Sequence, residues 1–188
     1  MHPTDVSFFS AKSYAFTTWQ DAHNYIGGRW QKPIDDVGSL DVLNPRHGKA
    51  ISQVHLSGAS DVDAAVKAAK AALPAWQALP IRERAQVFYK LRQLMEDHLE
   101  MLTWLVSHEN GKTYAEAKAE VLKGIECVEF GCSLPNLAAG SGLEVSRGVT
   151  CEITYDAVGV VAGITPFNFP FMVPLWMIPQ ALVGGNAF

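Results

Sequence analysis

Hydrophobic and polar positions along this chain follow three successive rhythms. Between residues 60 and 135 the rhythm is helical. Val62, Val66, Ala69, Leu73 and Trp76 share one face of a first predicted helix, with Lys67 and Lys70 turned to water. Ser60 reads as its N-cap, with Asp63 three residues on closing the box. Pro80 opens a second helix whose stripe is Phe88, Leu91, Met95, Leu102 and Leu105, and Gly111 ends it in a left-handed conformation. Thr113 and Glu116 form a capping box for a third, on which Ala117, Val121, Ile125, Val128 and Cys132 align. Pro135 limits or kinks that helix.

After Gly140-Ser141-Gly142 the period falls to two. Val145, Val149, Cys151, Ile153 and Tyr155 lie on one side of an extended ribbon over 141–156, with Ser146, Thr150, Glu152 and Thr154 on the other. Val158 to Ile164 is apolar on both faces, as a central parallel strand is. It stops at Thr165-Pro166-Phe167-Asn168-Phe169-Pro170, and a helix-like segment follows. Strand, polar loop, then helix is how a doubly wound parallel sheet begins, so the fold class is α/β. Ahead of the helices, Tyr25-Ile26-Gly27-Gly28-Arg29-Trp30 reads as a strand with a Gly-Gly turn, and 41–45 and 51–55 as two more strands. Residues 1–22 show no period and read as a flexible extension, leaving 23–188 as one domain. Gly185-Asn186-Ala187-Phe188 falls inside an expected second strand, so the sheet is expected to be incomplete and the segment alone prone to aggregate.

Composition narrows the function classes. Hydrophobic residues make up 48% and charged residues 18% of 188, the balance of a globular protein. A net charge of −4, with no cluster of Lys and Arg, points away from nucleic acid. Three unevenly spaced cysteines form neither a disulfide framework nor a zinc site, and the six histidines lack ligand spacing, so no metal is expected. The apolar run from Phe167 to Met177 is interrupted by Asn168, Pro170 and Pro174, and no membrane span is expected. The first twenty residues carry one Lys and no Arg, which leaves the cytoplasm as the expected compartment.

Asn168 is the side chain best placed for chemistry. Its amide offers two donors at the carboxyl end of a central strand, where open α/β sheets bind ligands. A fixed amide donor suits the oxyanion that develops on an attacked carbonyl. The same residue between prolines also fits a turn that bonds its own backbone. Cys127, Cys132 and Cys151 have no adjacent His or Arg in sequence and read as structural. Glu109 reads as closing its helix before Gly111.

Gly163-Ile164-Thr165-Pro166-Phe167-Asn168-Phe169-Pro170 resembles the oxyanion loop of the NAD(P)-dependent aldehyde dehydrogenase superfamily. Followed by Met172-Val173-Pro174-Leu175-Trp176-Met177, it is similar to the CoA-acylating methylmalonate-semialdehyde dehydrogenase branch. Tyr25–Trp30, Asn44-Pro45, Glu109-Asn110-Gly111-Lys112 and Gly124–Phe130 occur in the order that branch has them. The resemblance implies an aldehyde-dehydrogenase-like fold whose 141–156 ribbon belongs to an oligomerisation element. It also implies a homo-oligomer, dimer or tetramer. Asn168 would be catalytic, Ile164, Thr165, Pro166 and Phe167 would contact NAD, and Phe169 and Trp176 would wall the aldehyde tunnel. As ordinary residues, these aromatics equally read as core. The branch implies a semialdehyde substrate and coenzyme A as acyl acceptor, giving propionyl- or acetyl-CoA, carbon dioxide and NADH. Lys123 stands where the branch carries the Arg that grips the substrate carboxylate, keeping the charge without the bidentate fork. A solvated surface Lys remains the other reading.

Family members are well over twice this length, so the resemblance makes the chain an amino-terminal segment, inactive alone, with its nucleophilic Cys and Glu base beyond Phe188. Other readings of the same motifs are a branch that hydrolyses its thioester, and a non-catalytic segment that binds nucleotide or joins full-length subunits.

Overall fold

Gly27 and Gly28, with φ of 59° and 80°, take the left-handed conformations that fold Asn24–Ile26 (β1) back onto Arg29–Gln31 (β2). The computed structural model describes residues 21–188, so most of the predicted extension lies outside the described residues. A second antiparallel pair, Ser39–Asn44 (β3) and Lys49–His55 (β4), carries a bulge between Val42 and Leu43. Ala22 forms a parallel bridge with Val54 and donates its N–H to the Gln53 carbonyl at 2.7 Å.

The first helix, Ala59–Ala78 (α1), starts two residues before the sequence pattern placed it. Its N-cap is Gly58, not Ser60, and the working carboxylate is Asp61 rather than Asp63. Asp61 accepts from the backbone N–H of Ile34 at 2.7 Å, of Asp35 at 3.2 Å and of Gly58 at 3.2 Å, and from the Asn24 amide at 3.3 Å. One buried carboxylate thus closes both the helix start and the loop before β3. The Ile34 bond first, then those of Asp35, Gly58 and Asn24, hold its carboxyl below the usual aspartate range against an opposing desolvation.

The predicted second helix is two: Ile81–Asp97 (α2) and Leu99–Asn110 (α3), broken at His98 with φ −109° and ψ 19°. Met95 and Leu102 lie seven residues apart, so the stripe keeps its phase across the break and periodicity does not reveal it. Gly111 ends α3 with φ 81°, as its sequence position requires. The helix Tyr114–Leu137 (α4) starts with the predicted Thr113–Glu116 box, and Pro135 falls within its last turn. The ribbon is a hairpin, not one extended segment. Ser141–Ser146 (β5) and Val149–Ile153 (β6) turn at Arg147-Gly148 and are exposed on both faces. Of the predicted central strand, the structure forms one parallel bridge, Val160 with Ala187. Val161 N–H donates to the Ala187 carbonyl at 2.8 Å and Ala187 N–H to the Gly159 carbonyl at 3.0 Å. The helix Met172–Val183 (α5) joins the two, giving one strand–helix–strand unit.

The core belongs to four of these helices. Ala117, Val121, Ile125, Val128 and Cys132 of α4 are buried against Phe88 and Met95 of α2, Val106 of α3, and Leu175 and Val183 of α5. Two donors close the carboxyl end of α5: Trp76 Nε1 reaches the Leu182 carbonyl at 2.7 Å and Arg84 Nε the Val183 carbonyl at 2.9 Å.

The α4–α5 contact depends on two glycines seven residues apart. A Cβ on Gly124 would stand 2.8 Å from the Phe171 ring and 2.9 Å from Leu175, and one on Gly131 would stand 2.6 Å from Pro179 Cβ. Gly131→Ala gains up to about 1 kcal/mol of helix propensity but forces the packed helices apart at a cost of about 1–3 kcal/mol. Urea or thermal melting should therefore show Gly131→Ala as the less stable protein. Asp61 supplies a second prediction with a definite sign. A carboxyl held low when folded stabilises above its unfolded value, near 3.8, and that contribution is lost as pH falls through the folded value. Asp61→Asn should lower the melting temperature at neutral pH and flatten the acid limb of the stability profile.

Candidate functional site

The loop 165–170 lies at the carboxyl end of the segment that bridges to Ala187, and it delivers the chain into α5. Helix α5 has no side-chain cap of its own. Its first N–H groups are answered from α4 instead. Glu120 Oε1 accepts from the N–H of Phe171 at 2.9 Å and of Met172 at 3.2 Å. Its other oxygen, Oε2, is paired with Lys112 Nζ. The Glu120 side chain is 1% exposed and that of Lys112 17%. The same ammonium lies 3.9 Å from the centre of the Phe169 ring, a cation–π contact. Asn110 Nδ2, at the end of α3, donates to the Phe167 carbonyl at 3.0 Å. Residues 167, 169, 171 and 172 are thus each held by a group from α3, α4 or the turn between them.

Asn168 sits in the middle of these held positions. Its residue is exposed, and its amide has no hydrogen-bond partner among the described residues. The bond to its own turn, which the sequence also allowed, is not formed. Ile164 is 98% exposed and Phe167 87%, with Thr165 and Pro166 exposed between them. This is an apolar edge open to solvent beside a free amide donor.

The remaining site candidates separate into two groups. Lys123 and Trp176 line one groove of about 470 Å³ together with Glu126, Cys127, Phe130, Met172 and Gln180. Phe169 and Asn168 do not line it. Lys123 is exposed and pairs with Glu126 at 2.6 Å, which raises its ammonium pKa, first through that hydrogen bond and then through the charge. Trp176 is half-exposed and Phe169 is over a third exposed, so neither is a core aromatic in this chain. Glu109 is exposed as a residue, yet its carboxyl is desolvated by its neighbours and pushed up.

Sequence reasoning singled out Asn168 but not the groups that hold its loop. The signal was present: Glu120 lies three residues after Ala117 and one before Val121, a charge on the buried stripe of α4. A carboxylate there needs partners, and the partners belong to the loop and the start of α5.

No group of three or more His, Cys, Asp and Glu that could hold a metal occurs among the described residues. No helix among them is long and apolar enough to cross a membrane. Burial first, with Glu126 next, pushes the Cys127 thiol up, and burial does the same to Cys132. Cys151 is exposed in the hairpin. Iodoacetamide near neutral pH should therefore label Cys151 first and Cys127 and Cys132 slowly, as followed by peptide mass spectrometry. Rapid modification of Cys127 would make it an activated thiolate after all.

Comparison with known proteins gives a consistent result. The aldehyde dehydrogenase family model matches residues 30–188. Malonate-semialdehyde dehydrogenase 1 of Geobacillus kaustophilus (strain HTA426) is 46% identical over 166 residues, covering 88% of this chain and 34% of the relative. Malonate-semialdehyde dehydrogenase 2 of Bacillus thuringiensis (strain Al Hakam) is 45% identical over 172 residues, covering 91% and 35%. Among solved structures, a protein of Sinorhizobium meliloti 1021 complexed with NAD and described as a methylmalonate-semialdehyde dehydrogenase superposes with a TM-score of 0.85. It is 36% identical, and the match covers 92% of this chain and 35% of the other. The methylmalonate-semialdehyde dehydrogenase of Oceanimonas doudoroffii gives 0.83 at 38% identity, covering 91% and 34%. The chain spans about a third of the length of the relatives it matches.

Proposed function

Because the chain belongs to the aldehyde dehydrogenase family, we propose that it is the amino-terminal third of an NAD-dependent, CoA-acylating malonate- or methylmalonate-semialdehyde dehydrogenase. The observation that carries this reading is the free Asn168 amide, flanked on both sides by held residues at the carboxyl end of the bridged strand segment. In the proposed reaction a thiolate adds to the aldehyde carbon, and the carbonyl electron pair moves onto oxygen. Asn168 Nδ2 donates to that oxygen as it becomes negative. A donor free of internal partners, on a loop held at the residues on either side, breaks no internal bond at that moment.

The thiolate itself belongs outside these residues in this reading. Cys127 and Cys132 have thiols raised by burial, and Cys151 lies in the exposed hairpin. Bound NAD would accept the hydride that leaves the aldehyde carbon. The chain's own contribution to that site is the exposed apolar edge Ile164–Phe167, whose chemistry fits a flat ring better than it fits water. Coenzyme A would then take the acyl group. For malonate semialdehyde, one aldehyde, one CoA thiol and one NAD⁺ become acetyl-CoA, carbon dioxide and NADH, with atoms and charge balanced. A homo-oligomer in the cytoplasm, assembled through the exposed β5–β6 hairpin, completes the reading.

Lys123 is the proposed carboxylate contact, reached through the groove it shares with Trp176. Its pairing with Glu126 means that a substrate carboxylate must compete with an internal one. A hydrolytic branch of the family is the second reading, and CoA dependence separates the two.

The test uses the dehydrogenase-length polypeptide. Asn168→Ala should lower kcat by about 10²–10³ with little change in KM. Lys123→Met should raise KM about tenfold for malonate semialdehyde and leave that for propanal unchanged. Product should appear as acyl-CoA, and NADH formation should slow sharply when CoA is omitted. Free acid formed at the same rate without CoA would favour the hydrolytic reading.

A further inference from the structure

A catalytic amide on a loop is useful only if the loop has one conformation, and within 165–170 only Pro166 and Pro170 restrict the backbone. The nearest main-chain bonds are Val173 N–H to the Phe169 carbonyl, at 3.2 Å, and those that Asn110 and Glu120 supply. We infer that Glu120, with Lys112 as its counter-ion, is a positioning residue that sets the Asn168 amide in register for the reaction. The inference rests on the oxyanion reading of Asn168 proposed above.

Glu120 is suited to the task by where its two oxygens go. Oε1 takes two N–H groups at the start of α5, those of Phe171 and Met172, just beyond the loop that carries Asn168. Oε2 takes the Lys112 ammonium, and that ammonium in turn lies over the ring of Phe169, next to Asn168. One buried side chain therefore reaches the loop twice, by backbone at 171–172 and through Lys112 at 169. Asn110 adds an independent hold at 167. The anchor is rigid because Glu120 stands on α4 between Ala117 and Val121, both fully buried. None of these three polar residues needs to touch the aldehyde.

The chemistry of each oxygen separates the two routes. Glu120→Gln keeps a carbonyl oxygen for Phe171 and Met172 but removes the charge opposite Lys112. Glu120→Ala removes both. Lys112→Met removes the cation over Phe169 and leaves Glu120 with only its two backbone donors, those of Phe171 and Met172.

The experiment measures kcat and KM in the dehydrogenase-length polypeptide for Glu120→Ala, Glu120→Gln and Lys112→Met. Each is made alone and in an Asn168→Ala background, with thermal melting as a check that all fold. Misplacing a reacting group by about 1 Å can cost on the order of 10²-fold in rate. Glu120→Ala should thus lower kcat by about 30- to 100-fold with KM within about twofold, and Glu120→Gln should recover most of that loss. In the Asn168→Ala background, the same changes should alter kcat by less than about twofold, because the amide they position is gone. A merely structural role would lower stability and activity by the same factor in both backgrounds, and that additivity would overturn the inference alone. Full kcat in folded Glu120→Ala would overturn it as well. Should Asn168→Ala itself retain full kcat, the oxyanion reading fails first and takes this inference with it.

Discussion

A carboxylate buried in a helix bundle must have its lone pairs answered, and Glu120 is answered three times. Its partners are the N–H groups of Phe171 and Met172 and the ammonium of Lys112. Burying an unpaired charge costs several kcal/mol even after relaxation, on the order of the whole stability of a small domain. The partners are therefore not optional, and two of them open α5. The start of that helix, and the loop that leads into it, are fixed by a residue on another helix, far earlier in the chain. Local sequence around Asn168 contributes the prolines. Long-range polar bonding contributes the position.

Helix α4 carries this anchor because it is held on three sides. Its buried stripe meets α2, α3 and α5, and its glycines let α5 approach until Phe171, Leu175 and Pro179 fill the places where side chains would stand. Close approach and the Glu120 bonds reinforce one another. A side chain at 124 would displace the Phe171 ring and Leu175, and so loosen the contact that brings the Phe171 N–H to Glu120. Packing sets the distance between the two helices, and the carboxylate sets where along α4 the loop attaches.

What the sequence revealed divides along the same line. Features determined by neighbours in the chain were legible: the Thr113–Glu116 box, the Gly111 stop, the Gly27-Gly28 turn and the buried face of α4. Features decided across the chain were not. Gly58 caps α1 because Asp61 also collects N–H groups from residues 34 and 35, which no local pattern contains. The break at His98 keeps the hydrophobic phase and so leaves no mark. The 141–153 hairpin keeps its alternation through the turn and looks continuous. In the site, Asn168 could be picked out from its prolines and its place after an apolar run. Glu120 could have been suspected as a charge on an apolar stripe, but nothing in the sequence says which backbone it serves.

In the proposed reading, the two groups of candidate residues have a physical division of labour. On one side of α5, Lys112 and Glu120 hold the loop and the helix start with bonds that are largely shielded from water, and Asn110 adds an exposed one. On the groove that Trp176 lines, Lys123 and Glu126 form an exposed pair, which solvent and salt weaken to a fraction of a buried one. A shielded pair keeps a fixed geometry, which is what an amide donor to a reacting oxygen requires. An exposed pair can open, which is what a cation must do before it can receive a carboxylate from outside. The same two residue types, Lys and Glu, are thus suited to opposite tasks by their burial alone.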